Sequence, residues 1–191
     1  MKKFAVTILG TTPLLQNAFT AKIGKSIGTT TKPPVKATLP DEIAEEAAYW
    51  DKDDLIVHPT QALMTAMRDG GAYESLGGRK TAKAPMAAAI FVEGGDFLPL
   101  LLPNGERTDD FIVDSRRIVN PHTGGAGMCH RPRFEQWMLK FTLRVYEDIL
   151  SVEVVRNSLV NAGRRIGIGD YRPQKGGRFG MFDVIQFDEI P

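Results

Sequence analysis

The ten residues WMLKFTLRVY, 137 to 146, constrain the fold more tightly than any other stretch, because Trp137, Leu139, Phe141, Leu143 and Val145 alternate with Met138, Lys140, Thr142, Arg144 and Tyr146. A period of two belongs to a strand with one apolar and one polar face, so the chain must build a sheet covered on one side. The N-terminal stretch repeats the pattern, setting Phe4, Val6 and Ile8 against Lys3, Ala5 and Thr7, and MFDVIQF near the C-terminus reads as a closing strand. The covering layer is helical. In SVEVVRNSLVNAGRR, Ser151 is placed to cap a helix whose Val152, Val155, Leu159 and Ala162 recur at helical spacing before Gly163 stops it. LIVHPTQALMTAMRDGG predicts a short strand and then a helix, with Pro59 in the first turn, Leu63 and Met67 inside and Gly70 at the end. LPDEIAEEAAYW predicts a third helix, with Ile43, Ala47 and Trp50 on one face and Asp41 and Glu42 set against the helix dipole.

Elsewhere the periodicity is weaker. MAAAIFVEGG and DFLPLLLPNGE read as short apolar strands, with Pro99 and Pro103 permitting only edge or irregular structure. DFIVDSRRIVN reads as a strand pair or one long strand, and PHTGGAGMCHRPR as loop. Residues 20 to 39 and ESLGGRKTAKAP read as basic loops. The order strand, helix, strands, helix, strand predicts an α+β protein with a ferredoxin-like core, an antiparallel sheet with helices on one face and long loop insertions. The 191 residues are read as a single domain with a central insertion around 71–135.

Composition narrows the function less than charge placement does. Apolar residues at 42% and charged residues at 25% are those of an ordinary globular protein. Lys and Arg total 24 against 23 acids, so net charge carries no argument for a polyanionic partner. A lone cysteine, Cys129, excludes an internal disulfide and a Cys-rich zinc cage and points to a reducing cytosol, hence a cytoplasmic protein. Thr, Gly and Pro interrupt the apolar N-terminus, so no signal peptide is read there, and no stretch has the length of a membrane span.

The charge is concentrated in one place. GIGDYRPQKGGRFGMFDV, 167 to 184, carries Gly167, Gly169, Gly176, Gly177 and Gly180, each costly in backbone entropy unless geometry requires it. From Arg156 to Arg178 the cations Arg156, Arg164, Arg165, Arg172, Lys175 and Arg178 face one acid, Asp170. One reading is a solvated turn that stops a helix and starts a strand. The other is a binding loop, in which Gly176 and Gly177 offer backbone N–H groups to phosphate oxygens, the cations neutralise phosphates, and Tyr171 and Phe179 stack on unpaired bases or brace the loop. Arg116 and Arg117, beside the glycine-containing segment 121 to 133 with its Arg131 and Arg133, form a second cluster that could line the same groove.

AGRRIGIGDYRPQKGGRFGMFDV resembles the C-terminal glycine-rich loop of the RAMP superfamily, the RRM-like RNA-binding proteins of CRISPR systems. VTILGTTPLL is similar to that family's opening strand and turn, and LIVHPTQALMTAMRDGG to the stretch where a strand runs into a Pro-initiated helix. The resemblance implies single-stranded RNA held along an extended groove by subunits that stack into a homo-oligomer or filament, closest to the backbone subunit of an effector complex and in contact with its other subunits. The chain is shorter than most such subunits, which keeps a phage or mobile-element relative open beside a working CRISPR subunit. Together these readings predict a non-catalytic protein that binds single-stranded RNA, or DNA, without a cofactor.

The rival chemistry rests on few residues. An endoribonuclease of the same superfamily would use a histidine base, and only His58, His122 and His130 are present; His58 precedes Pro59, where helix entry explains it. His122, Cys129 and His130 do not have a familiar zinc-ligand spacing. The aspartates of WDKDD and the trio Asp109, Asp110 and Asp114 read as solvated turns rather than a magnesium site. No Gly-Lys-Ser/Thr phosphate loop and no G-x-G-x-x-G pattern occurs. A third reading is a phage assembly or decoy protein that docks on an effector complex through its basic loops.

Overall fold

The computed structural model describes residues 1–18, 39–119 and 124–191; the basic loop read at 20 to 36 and His122 lie outside them. In chain order the elements are β1 (Lys2–Gly10), β2 (Leu14–Leu15), α1 (Pro40–Glu46), β3 (Val57–Pro59), α2 (Thr60–Gly70), α3 (Lys83–Ala89), β4 (Ile90–Val92), β5 (Phe97–Pro99), β6 (Ile112–Val119), β7 (Ala126–Phe134), β8 (Met138–Val145), α4 (Val152–Asn161) and β9 (Phe182–Ile190). The core sheet is antiparallel in the order β4-β8-β1-β9. With α2 between its first two strands and α4 between its last two, this is the ferredoxin-like α+β arrangement.

Both helices cover the same face. Leu63 and Met67 of α2 and Val155 and Leu159 of α4 are completely buried in one core with Phe4, Val6, Ile8, Leu139 and Leu143 of the sheet. The helices cross closely because Gly70 has no side chain: a Cβ there would lie 2.2 Å from the Ser158 carbonyl oxygen. Ser151 caps α4 as its sequence suggests, accepting from the Val154 N–H at 3.4 Å.

Three local differences have physical causes. Gly163 does not stop α4; the chain continues through a π-type turn, Ala162–Ile166, and leaves it at Gly167, whose φ of 71° ends the helical path. Gly163 serves close packing, since a Cβ there would meet the Phe182 carbonyl oxygen at 2.0 Å. Residues 126 to 133, within the segment expected as loop, belong to strand β7, held in register by its ladder to β6 rather than by apolar alternation of its own. The segment expected as a strand at 86 to 92 is helical through Ala89, and only Ile90–Val92 joins the core sheet. The short α1 ends at Glu46, so Ala44, Ala47 and Ala48 are buried there while Ile43 is exposed.

The hairpin β6–β7, inserted between the core strands β4 and β8, is the second architectural unit, and β2 extends it to a three-stranded sheet in the order β2-β7-β6. Its far end exposes Ile118, Val119 and Met128. β3 and β5 pair separately. No helix among the described residues is long and apolar enough to cross a membrane.

Candidate nucleic-acid interface

The glycine-rich segment folds back on the turn after β1. Gly180 N–H donates to Pro13 at 2.8 Å, Asp170 N–H to Leu15 at 2.8 Å, and Ile168 N–H to Gly180 at 2.9 Å. The glycines make this folding possible. Gly180 has φ 69°, and a Cβ there would lie 1.8 Å from the Ile168 carbonyl oxygen; at Gly177 the clash would be with the Tyr171 carbonyl oxygen at 1.6 Å. The expectation that Gly176 and Gly177 offer N–H groups to phosphate is corrected: Gly176 donates to Pro173 at 2.9 Å and Gly177 to Arg172 at 3.0 Å, inside the loop. These donors are engaged by the fold itself.

Of the two roles expected of Phe179, stacking on a base or bracing the loop, its burial fits bracing. Phe179 is only 2% exposed, and the Arg116 guanidinium sits 4.5 Å from its ring centroid. Tyr171, 44% exposed and held at φ 51°, remains at the surface with Arg116 5.9 Å away.

The hairpin face that carries Asp114, Arg116, Arg131 and Arg133 packs against this loop. Arg116 forks onto the buried Asp114 carboxylate, with one contact at 2.9 Å, and Arg133 approaches the same group at 3.6 Å. The Arg116 hydrogen bond, then its charge, hold the Asp114 carboxyl below its ordinary value. Arg131, almost fully buried, lies 2.7 Å from Asp170. Arg116 is therefore a structural residue that joins hairpin to loop, rather than a free phosphate ligand.

The remaining cations divide by their partners. Arg172 donates to the Gly169 carbonyl at 3.0 Å and to Gln174, so its guanidinium shapes the loop. Arg165 lies 4.6 Å over the Tyr73 ring, and Arg164 is 3.9 Å from Asp183 with both side chains well exposed, a weak pairing. Lys175, Arg178 and Arg117 are exposed and have no ion pair among the described residues. Gln174 ties the loop to α2 by donating to Asp69 at 2.6 Å. Burial alone would raise the Asp69 carboxyl, but hydrogen bonds from Gln174 and Lys83 outweigh it and hold the group low.

Beneath the loop a cleft of about 340 Å³ opens between Ile166–Arg172 and the first turns of α2. Tyr49 and Gln16 line its other side and His58 is 2% exposed against it.

No family model matches the sequence, and no curated protein matches it. Among solved structures, a chain of the cryo-EM structure of the type III-B Cmr-beta complex bound to cognate target RNA is similar, with a TM-score of 0.55 and 15% identity over 99% of this chain. At that identity the likeness shows the fold. The chain spans 61% of the length of that structural relative.

Several residues of the rival chemistry have hydrogen-bond partners within the fold. Asp51 accepts from the Asp53 and Leu55 N–H groups at 2.9 and 3.0 Å and from Arg107 at 2.6 Å, an acid closing its own turn. His130 shares a 2.7 Å hydrogen bond with Ser115. Burial pushes His58 down to about 4, so it is neutral at pH 7. The sequence reading missed Gln16, Asn17 and Tyr49 as neighbours of the loop, because no local pattern links them to residues more than a hundred positions away. Only the polar pair Gln-Asn directly after the apolar Leu14–Leu15 signals a role there.

Proposed function

We propose that this protein is a non-catalytic binder of single-stranded nucleic acid, RNA in preference to DNA, acting as a backbone-type subunit that stacks with copies of itself or with other effector subunits. The observation that carries the reading is the exposed pair Lys175 and Arg178 on the glycine-rich loop, which have no ion pair among the described residues, with Arg117 likewise exposed and without an ion pair on the outward face of the neighbouring hairpin strand. Asp114 and Asp170, the nearby acids, are taken up by Arg116, Arg131 and Arg133. Positive charge left without acidic partners on one edge of a nearly neutral protein suits a polyanion. The exposed Tyr171 adds a ring on which an unpaired base can stack, a contribution of about 1–3 kcal/mol.

The fold supports the same direction, since the similar chain belongs to a complex bound to target RNA. Phosphate contacts of this kind position a strand without reading its sequence. Binding of a fluorescent oligouridylate, followed by anisotropy at about 0.1 M salt, tests the reading. Replacing Arg117, Lys175 and Arg178 together by alanine is expected to weaken binding about 100-fold, with the fold intact by circular dichroism. Unchanged affinity would remove this edge from the interface.

A further inference from the structure

The cleft under the glycine-rich loop has a composition unlike that of the cationic edge above it. Its walls are the Tyr49 ring, the amide of Asn17, which donates to Asp170 at 3.3 Å, the amide of Gln61, which donates to the Thr65 hydroxyl at 3.3 Å, and the loop backbone from Gly167 to Asp170, so that the amide oxygens and the second N–H of each amide are left for a ligand. The charges that reach it, Asp170 and Arg172, are of opposite sign, and each already has a partner, Arg131 for the first and the Gly169 carbonyl for the second. Burial and then the charge of Asp170 raise the Tyr49 phenol, and burial lowers His58, so both side chains are neutral at pH 7. Such a site rejects a phosphate and suits a neutral, flat, polar molecule.

His58 supplies a second, independent observation. Gln16 accepts from the Tyr49 N–H at 2.9 Å through Oε1, which turns its Nε2 toward the Val57 carbonyl at 2.8 Å and toward His58 Nδ1 at 3.5 Å. With Nδ1 facing a donor, the proton of the neutral imidazole belongs on Nε2. That Nε2 is buried and has no hydrogen-bond partner among the described residues. An orphaned buried donor is uncommon and asks for an acceptor.

The geometry points to a pocket for one unpaired nucleobase of the bound strand, its ring against Tyr49, its edge met by the Asn17 and Gln61 amides, and a base carbonyl or ring nitrogen accepting from His58 Nε2. The inference rests on the single-strand reading above, since the pocket opens directly beside the loop whose outer edge holds the phosphates. A volume of about 340 Å³ lies at the small end of ligand pockets, enough for one base and its sugar and too little for a stacked pair. The base turned into the cleft leaves the stack, as it does wherever a protein reads a nucleotide in a closed pocket.

The experiment compares a uridine–adenosine mixed oligonucleotide with the same oligonucleotide made abasic, each bound by the wild type, by Tyr49→Leu and by Thr65→Phe. Thr65 is half-buried on the surface of α2, so a phenylalanine there fills the cleft without entering the core. The wild type is expected to bind the intact strand about tenfold more tightly than the abasic one, and both variants to lose that preference while keeping the abasic affinity. Equal wild-type affinity for the two strands, or a preference that survives Thr65→Phe, overturns the pocket and leaves the cationic edge standing. Failure of the wild type to bind either strand overturns both. Free adenosine and uridine at millimolar concentration distinguish a strand-borne base from a soluble nucleoside: saturable binding of a nucleoside without binding of the strand contradicts the inference.

Discussion

The open face of the core sheet and the edge formed by the glycine-rich loop and hairpin differ in how their outermost cations are held. On the open sheet face, Lys3 reaches Glu93 at 3.3 Å, and Arg144 shares Glu93 while lying 5.5 Å over the Phe91 ring. On the edge, Arg117, Lys175 and Arg178 have no such partners among the described residues. RRM domains bind single strands on the open sheet face with aromatic platforms. Here Lys3 and Arg144 on that face share Glu93, and Phe91 is its exposed ring on β4. A shared sheet topology does not by itself fix which surface binds.

The largest expected effect separates the two surfaces directly. Where the edge variant of Arg117, Lys175 and Arg178 weakens single-strand binding about 100-fold, a matched alanine variant of Lys3, Lys140 and Arg144 is expected to change it less than about twofold, and the salt slope to fall by about 2 only in the edge variant. Anisotropy titrations at several salt concentrations check this. A larger effect from the sheet variant would reverse the comparison.

Next in size is the loop's own architecture. Gly180→Ala forces a Cβ to 1.8 Å from a carbonyl oxygen at φ 69°, whereas Gly176→Ala, at φ 76°, meets nothing within 4 Å. The first is expected to cost about 3 kcal/mol in urea unfolding and the second about 1 kcal/mol, from the left-handed backbone alone.

The two surfaces also differ in their response to acid. His58 titrates at about 4 in the fold against an ordinary 6.5, so the unfolded state takes up more protons between those values and stability falls as pH drops through that window. The loss is expected to reach about 2 kcal/mol between pH 7 and 5, and His58→Gln to flatten the curve there. On the sheet face, the Arg144 hydrogen bond holds Glu93 below its ordinary 4.5, so that network contributes above the unfolded value and weakens only at lower pH. Smallest is Arg116→Ala. Arg133 still approaches Asp114, so the change is expected to cost about 1 kcal/mol while leaving the salt slope of binding unaltered, as befits a structural pair.

The core was legible because its signals are local. Trp137, Leu139, Leu143 and Val145 are fully buried, as their alternation requires, and Leu63 and Met67 lie four apart on the buried side of α2. β7 was not legible, because the residues that hold it, among them Arg131 opposite Asp114 and Arg133 opposite Ile112, declare a strand only when the partner strand is present. At the candidate site, the glycine-plus-cation composition singled out a segment, but composition cannot tell which groups the fold itself engages. Phe179 turns inward under Arg116, and the loop's N–H groups go to Pro13 and Leu15, partners more than 150 residues away in sequence. Lys175 and Arg178 are left outside by that same folding.

The most direct measurement is photocrosslinking of the wild-type protein to a 4-thiouridine oligonucleotide, with the adducts located by mass spectrometry. Adducts are expected within residues 112 to 119, 126 to 134 and 166 to 180, with Tyr171 prominent. Adducts concentrated on Lys3, Lys140 and Arg144 of the open sheet face would contradict the account.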